Sequence, residues 1–179
     1  MQTYIALLRG INISGQKPVR MAELKALFES LGFVQVETYV QSGNVVFGCA
    51  STEPAADAAP IEAEIQRRLG FTVPVLLRRT DDFERILSQD PYPAADPAKR
   101  YVTFLYSPPS ADLLAKLAVP AGYSDEFTVL GEEIHLHCPG GYGVSKLSNT
   151  FFENKLKVTA TTRNWKTVTT LTGMGRARD

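Results

Sequence analysis

Several features that mark a specialised protein class are scarce or missing in this chain. Among 179 residues there are only two cysteines, Cys49 and Cys138, and neither belongs to a CxxC pair. We therefore expect neither a disulfide framework nor a cysteine-based zinc site, and we expect a reducing compartment. No apolar run reaches the roughly 18 residues of a membrane span. The amino terminus has no basic segment or cleavage site of an export signal. These absences predict a cytoplasmic protein without a membrane partner.

The chain also lacks an excess of charge of either sign. It carries 19 basic and 19 acidic side chains, so its formal net charge is zero. The distribution is uneven, however. Residues 140–179 hold seven basic and two acidic side chains, whereas residues 41–139 hold eight basic and 14 acidic ones. A basic end on an acidic body is able to attract an anionic partner, and an ordinary solvated helix and tail explains it equally well.

Residues that usually carry chemistry are few. His135 and His137, the two histidines of the chain, alternate along a predicted strand and so share a face. Because no third ligand has a defined spacing, we expect a solvated strand face, no metal and no cofactor. Ser42 lacks a GxSxG elbow, and Cys49 has no evident base. We expect Trp165 to anchor its helix in the core, with base stacking as the alternative.

What the chain does contain is a regular order of apolar strands and amphipathic helices. Strands are predicted from short runs rich in β-formers, and helices from apolar residues at a spacing of three and four. The first half predicts a strand over 4–8, a helix over 22–31, a hairpin over 34–49, a loop over 51–60, a helix over 61–69, a strand over 72–79 and a short helix over 81–88.

The same order then repeats after a proline-rich break at residues 89–99. Thr150 and Glu153 have the spacing of a capping box at the start of the second helix of this half. The second half predicts a strand over 100–107, a helix over 111–119, a hairpin over 126–138, a helix over 149–155, a strand over 157–163 and a helix over 164–171.

A strand-helix-strand-strand-helix-strand order is the split βαβ pattern of a ferredoxin-like unit. We therefore predict an α+β protein with an internal duplication: two tandem ferredoxin-like (βαββαβ) units, each followed by a short helix. The predicted domains are residues 1–92 and 98–179. The strand order in each sheet should be 4-1-3-2, and Pro74, which cannot donate to a ladder, argues that the fourth strand is an edge.

The connection between the first strand and the first helix is longer than its topology requires. A strand-to-helix turn needs only a few residues, yet this one extends from residue 9 to residue 21. Long loops at strand ends often hold function. Besides glycines that give backbone freedom, the loop holds hydrogen-bond donors, among them Arg9, Asn12, Lys17 and Arg20.

The predicted strand order places the end of the first strand beside the turn of the first hairpin. Arg9 should therefore share an edge with Ser42 and Asn44. Asn12 and Asn44 are either ligand donors or turn residues with left-handed backbone, and the turn role is favoured for Asn44. We expect Arg67 and Arg68, at the end of the second helix, to reach the same edge. This edge of the first half is our first candidate for an anion site.

A second polar edge is predicted in the second half. The glycine-rich segment 139–149 enters a helix there, and Lys146, Asn149, Arg163 and Asn164 should cluster near its end. Backbone amides, a lysine and a helix start together suit a phosphate, whereas a tight structural turn is the alternative. The segment matches neither a P-loop nor a dinucleotide-binding fingerprint. Our hypothesis is that the two polar edges face one cleft between the halves.

Four segments of the chain also match a known pattern. They read YIALLRGINISG, MAELKALFESLGF, VETYVQSGNVVF and TTRNWKTV. Together they resemble the DUF1697 family of uncharacterised, mainly bacterial proteins. The resemblance implies tandem ferredoxin-like domains, and it implies no catalytic residue, since none is established for the family.

These observations predict a cytoplasmic protein that binds a phosphate-bearing ligand, a nucleotide or nucleic acid, in a cleft between its halves. One alternative is an enzyme acting on a small phosphorylated or carboxylated metabolite. The other is a scaffold or interaction module without a small ligand. The predicted ligand-binding residues are Arg9, Asn12, Lys17, Arg20, Ser42, Asn44, Lys146, Asn149, Arg163 and Asn164.

Overall fold

The structure, a computed structural model, describes residues 1–50 and 57–178. The loop predicted over 51–60 therefore lies mostly outside the described residues. The chain forms two compact units, one of residues 1–85 together with 170–179 and the other of residues 86–169. The domain bounds predicted from the sequence, 1–92 and 98–179, stay a prediction.

The first unit contains a four-stranded antiparallel sheet in the predicted order. Its strands follow one another as β2-β3-β1-β4, so β1 is central and β4 is an edge strand. Pro74 directly precedes that edge strand, where its missing N–H costs no ladder bond. The elements are β1 (Gln2–Leu8), α1 (Met21–Ser30), β2 (Val34–Tyr39), β3 (Asn44–Cys49), α2 (Ala59–Leu69), β4 (Val75–Arg79) and α3 (Thr80–Ser88). Residues 86–88, at the end of α3, are part of the second unit.

One face of this sheet is covered by the apolar stripe of α1. Leu24, Leu27 and Phe28 are fully buried and belong to one core with Tyr4 and Ala6 of β1. Their spacing of three and four residues puts them on one side of the helix. Each buried side chain of this size contributes roughly 1.5–3 kcal/mol. The apolar periodicity therefore both forms the helix and holds it on the sheet.

The second unit repeats the sheet in the order β6-β7-β5-β8. Its core joins Leu105 and Leu136 of the sheet to Phe152 and Leu156 of a helix. The prediction of two tandem ferredoxin-like units in an α+β protein is thus confirmed. The elements are β5 (Arg100–Leu105), α4 (Ala111–Leu114), β6 (Glu126–Leu130), β7 (Glu133–His137), α5 (Asn149–Leu156), β8 (Ala160–Asn164) and α6 (Trp165–Arg176). Only the start of α6 belongs to this unit, because residues 170–176 are part of the first unit.

Two helices differ in length from the prediction. Instead of extending over 111–119, α4 ends at Leu114; farther along, Pro120 disfavours helical geometry at the residue before it. In contrast, α6 has 12 residues and continues through Gly175. A Cβ at Gly175 would lie 2.7 Å from Thr80 Oγ1, so the glycine permits close packing there. No helix within residues 1–50 and 57–178 has the length and apolar content needed to cross a membrane.

The start of α5 is capped by a residue other than the predicted one. Ser148, not Thr150, is the N-cap, and its Oγ accepts a hydrogen bond from Phe151 N at 3.2 Å. Glu153 accepts from Ala160 N at 3.0 Å and thereby ties the helix to the start of β8. The predicted capping box is therefore wrong, because the Glu153 carboxylate accepts a hydrogen bond from the strand that follows the helix.

We expect Gly43→Ala to destabilise the first unit more than Gly32→Ala does. Both glycines have positive φ, which costs an alanine about 1–2 kcal/mol. Only at Gly43 would the added Cβ also clash, at 2.7 Å from Ile11 Cδ1, whereas nothing lies within 4 Å at Gly32. The clash should add about 1–3 kcal/mol. Urea denaturation followed by circular dichroism measures both variants, and equal destabilisation would contradict the expectation.

Candidate functional site

The end of β1 meets the turn of the first hairpin, as the strand order predicts. Leu8 N donates to Gly43 O at 2.9 Å, and Leu7 is paired with Asn44 in the ladder. Arg9 directly follows, and its backbone N donates to Pro74 O at 3.0 Å. The long loop therefore leaves the sheet between the hairpin turn and the segment that leads into β4.

The loop between β1 and α1 has an unusual concentration of left-handed backbone. Six non-glycine residues in the described part of the chain have positive φ, and Asn12, Ser14 and Lys17 are three of them. Within the loop, Ile13 and Gln16 form an isolated antiparallel bridge around a tight turn. Such conformations cost of order 1–3 kcal/mol each and cluster at ligand sites and active sites. The strain thus makes this loop the leading candidate for function in the first unit.

The Asn12 side chain holds the loop in place. Its Nδ2 donates to Val19 O at 3.0 Å and to Gln41 O at 2.8 Å, and its Oδ1 accepts from Val19 N at 2.8 Å. One amide therefore closes the loop on itself and ties it to the hairpin. Asparagine suits this position because its short polar side chain tolerates left-handed backbone. Its amide is thus already used within the protein.

The remaining predicted residues at this edge serve the loop in different ways. Lys17 Nζ donates to Thr72 O at 2.7 Å, so its charge lies near the start of β4. Asn44 is fully buried, and its Nδ2 donates to Tyr39 O at 2.8 Å and to Ser42 Oγ at 3.1 Å. Asn44 therefore has the turn role that the sequence left open, whereas Ser42 is exposed.

An open groove of about 560 Å³ lies beside the loop. Arg20 is exposed there and is the N-cap of α1, with extended backbone and no side-chain cap bond. No ion pair involving Arg20 occurs among residues 1–50 and 57–178. Glu23, in the first turn of α1, brings one carboxylate to the same groove. The lining residues are Asn12, Pro18, Val19, Arg20, Met21, Glu23 and Gln41.

Arg67 and Arg68 do not join this edge, contrary to expectation. Both donate hydrogen bonds to the Glu64 carboxylate. These bonds lower the pKa of Glu64 to about 2, and the bond from Arg67 has the larger effect. Arg68 also donates to Ser30 Oγ at 2.6 Å. Because Ser30 ends α1 while Arg20 precedes it, this guanidinium belongs to the opposite end of the helix.

In the second unit, Arg163 and Asn149 are used internally. Arg163 is 6% exposed, and its Nη1 donates to Thr161 Oγ1 at 2.8 Å and to Thr162 O at 3.0 Å. Burial lowers the pKa of Arg163 to about 10. Asn149 Oδ1 accepts from Thr162 Oγ1 at 2.6 Å. The Arg163 contacts stay within β8, whereas the Asn149 contact joins α5 to β8.

The glycine-rich segment has the geometry of a structural turn. Ser145 Oγ donates to Asp125 Oδ2 at 2.8 Å and accepts from Leu147 N at 3.0 Å. Asp125 is buried, so a carboxylate lies against the segment and disfavours a bound anion. Lys146 Nζ lies 5.9 Å from the ring centroid of Tyr123. These contacts favour the structural alternative over the predicted phosphate site.

The two histidines lie in different surroundings. The expectation of a solvated face is wrong for His135, which is 2% exposed, with its ring centroid 6.4 Å from that of Trp165. The start of α6 covers this position, and Trp165 is itself buried, as expected of an anchor. His137 Nδ1 lies 2.9 Å from Glu126 Oε2. In residues 1–50 and 57–178, no three histidine, cysteine or acidic side chains form a group suited to a metal.

The sequence did not single out a buried charge beneath Trp165. The guanidinium carbon of Arg100 lies 4.5 Å from the centroid of the Trp165 ring. Arg100 forms an ion pair with Asp90, and both side chains are nearly buried. Arg100 Nε has no hydrogen-bond partner among the described residues. The one available signal was an arginine at the start of an apolar strand, next to a proline-rich segment.

The fold and the two edges define the class: an α+β protein of two ferredoxin-like units with a strained loop after the first strand. A sequence model described as "Protein of unknown function (DUF1697)" matches residues 1–135, and the chain therefore belongs to this family. The match ends within the second unit, before the glycine-rich segment and α6.

Comparison with solved structures supports the same architecture. The structure of the conserved bacterial protein SP0830 from Streptococcus pneumoniae aligns with a TM-score of 0.75 and 24% sequence identity. The alignment covers 97% of this chain and 98% of that one. At this identity the likeness shows the fold alone. No curated protein sequence matches the chain.

We expect Asn12→Ala to loosen the loop and to lower the free energy of unfolding by about 1–3 kcal/mol, because backbone groups of Val19 and Gln41 lose their partner. Amide hydrogen exchange at Val19 should accelerate, since its N–H loses the Asn12 Oδ1 acceptor. Gln16→Ala, at an exposed position of the same loop, is the control. Unchanged protection at Val19 would show that the side chain does not hold the loop.

Proposed function

We propose that the first unit binds a phosphate-bearing ligand, a nucleotide or a strand of nucleic acid, in the groove beside the loop between β1 and α1. The observation that carries this proposal is the start of α1. There an exposed arginine, Arg20, precedes a helix that has no side-chain cap. Helix starts present backbone N–H groups and a partial positive charge, and guanidinium groups bind phosphate in a bidentate manner.

In this proposal the predicted residues divide into two roles. Arg20 contacts the phosphate, and Arg9 and Lys17 add positive charge to the same edge. Asn12 and Asn44 hold the groove in shape through their bonds to backbone carbonyls, with the hydroxyl of Ser42 bonded to Asn44. Direct contact is therefore assigned to Arg20, an exposed side chain that has no ion pair in the described residues.

The expected energies favour a ligand larger than phosphate alone. A charge-assisted hydrogen bond contributes about 1.5–3 kcal/mol, and a helix start about 0.3–1 kcal/mol. Together these amount to no more than a dissociation constant near the millimolar range. Additional contacts along the groove are needed for useful affinity. A nucleotide or a nucleic-acid strand supplies them, whereas inorganic phosphate does not.

We expect Arg20→Ala to weaken binding about tenfold, because it removes the charged contact to phosphate. Binding is measured with two probes: ATP, by isothermal titration calorimetry, and a labelled oligothymidylate, by fluorescence anisotropy. Lys25→Ala, one turn farther along the exposed side of α1, is the matched control and should leave both affinities unchanged. If neither probe binds, or if Arg20→Ala binds as the natural chain does, the proposal fails.

Salt separates the two ligand classes. Affinity for the oligonucleotide should fall steeply with salt, since neutralised phosphates release their counterions. A nucleotide that contacts a single arginine should lose much less affinity over the same range. A strong salt dependence with the oligonucleotide therefore assigns the groove to nucleic acid.

The carboxylate of Glu23 provides a test of opposite sign. Glu23→Gln removes a negative charge from the groove, and we expect either probe to bind about threefold more tightly, in line with about 1 kcal/mol or less between exposed charges. Glu29→Gln is the control, because Glu29 lies on the same helix one turn beyond Lys25. A weaker affinity in Glu23→Gln would place the phosphate elsewhere.

A further inference from the structure

A second cavity, of about 530 Å³, lies within the second unit between the start of β5 and the start of α6. This volume is in the range of sites for small molecules, which span about 300–1,000 Å³. Its lining includes the aromatic side chains of Tyr101 and Trp165, together with Pro97 and Ala98. The cavity therefore offers flat apolar walls, which suit a planar ring.

The Trp165 wall is held in a fixed orientation. Arg100 packs on its ring at 4.5 Å, and Asp90 in turn holds the Arg100 guanidinium. Tyr92 O also accepts from Arg100 Nη1, at 3.4 Å. His135 packs beside the same ring. With its partners buried, the indole does not need to be ordered when a ligand arrives, which reduces the entropic cost of binding.

Tyr101 forms a second ordered wall. Its hydroxyl donates to Ala98 O at 3.2 Å, and its ring lies 5.0 Å from the ring of Tyr142. Neither contact depends on a ligand. The aromatic lining is therefore built by the fold of this unit.

Two polar side chains of the lining, Lys166 and Asn164, are able to donate to a ligand. Lys166 is exposed and forms no ion pair with the residues that the structure describes. Asn164 Oδ1 accepts from Thr167 N at 2.8 Å, which leaves its Nδ2 as a donor without a protein acceptor in the described ranges. The nearby carboxylate of Asp96 accepts from Ala98 N at 2.9 Å. No acidic side chain belongs to the lining found in the described residues.

We propose that this cavity binds a nucleoside monophosphate. The base packs on the Tyr101 ring and against the exposed part of the Trp165 ring, Asn164 Nδ2 donates to an acceptor on the edge of the base, and Lys166 contacts the phosphate. Bases stack well on aromatic side chains, and a single lysine matches a single phosphate group. The site uses no residue of the groove in the first unit, so either site can fail without the other.

The chain contains one tryptophan, so its fluorescence reports directly on this cavity. AMP should quench the emission in a saturable manner, adenosine should quench with weaker affinity, and ribose 5-phosphate should not quench. Free N-acetyltryptophanamide corrects for absorption by the ligand. Absence of saturable quenching by AMP at up to about 5 mM, a level at which even weak sites fill, would overturn the proposal. Equal quenching by ribose 5-phosphate would also overturn it, since the base would then be irrelevant.

Substitutions at Lys166 test the phosphate contact. Lys166→Ala should weaken AMP about threefold to tenfold and leave adenosine unchanged, whereas Lys166→Arg should retain the affinity for AMP. Lys116→Ala, at another exposed lysine of the second unit, is the control. Unchanged AMP affinity in Lys166→Ala would remove the phosphate from this position and overturn the proposal.

Arg20→Ala separates this site from the proposed function of the first unit. Quenching by AMP should be the same in Arg20→Ala as in the natural chain, even if binding of the oligonucleotide is lost. Loss of quenching in Arg20→Ala, with retained quenching in Lys166→Ala, would assign the signal to the first unit and overturn the proposal.

Discussion

The close approach of one glycine to the central strand determines the geometry of the candidate groove. Gly43 has a φ of 83°, and a Cβ there would lie 2.8 Å from Leu8 Cβ and 2.7 Å from Ile11 Cδ1. Because this contact is allowed, the hairpin turn bonds directly to the end of β1. The loop that follows is then near enough for Asn12 to reach Gln41 O. Asn12 and Gln41 both line the groove, so the contact that brings them together also shapes it.

The second unit shows that the same topology does not by itself create such an edge. The equivalent backbone bond is present, from Leu105 N to Glu132 O at 2.8 Å, but nothing lies within 4 Å of a Cβ at Gly131. The connection from β5 to α4 is also short, at residues 106–110. In this unit an ordered cavity lies instead beside the start of α6. The duplication thus fixes the architecture, while the groove of one unit and the cavity of the other lie at different places in the shared topology.

The fold was predictable from the sequence because local apolar periodicity and turn residues determine where strands and helices form. Alternating apolar residues and hairpin turns predicted the strands and their order along the chain. The donor-rich loop predicted the edge of the sheet at which the backbone of the structure is strained. Features that depend on which helix covers which face were not predictable in this way. His135 is buried because the start of α6 packs on its side of the sheet, and Glu153 binds the backbone of Ala160 rather than closing a capping box. Asn12 was predictable in part. The sequence indicated that asparagine tolerates left-handed backbone, but it did not indicate the three backbone groups that the side chain contacts.

The ion pair beneath Trp165 is more easily explained by geometry than by stability. Burying both charges of Arg100 and Asp90 costs desolvation that their attraction only partly offsets, and Arg100 Nε lacks a hydrogen-bond partner in the described residues. Replacement of a buried ion pair by well-packed apolar residues of similar volume is often neutral or stabilising. What an apolar pair would not supply is a planar cation stacked on the indole, which fixes the ring through both packing and cation–π attraction. The arrangement therefore favours an ordered aromatic wall over maximal stability. An ordered wall lowers the entropic cost of binding a ligand.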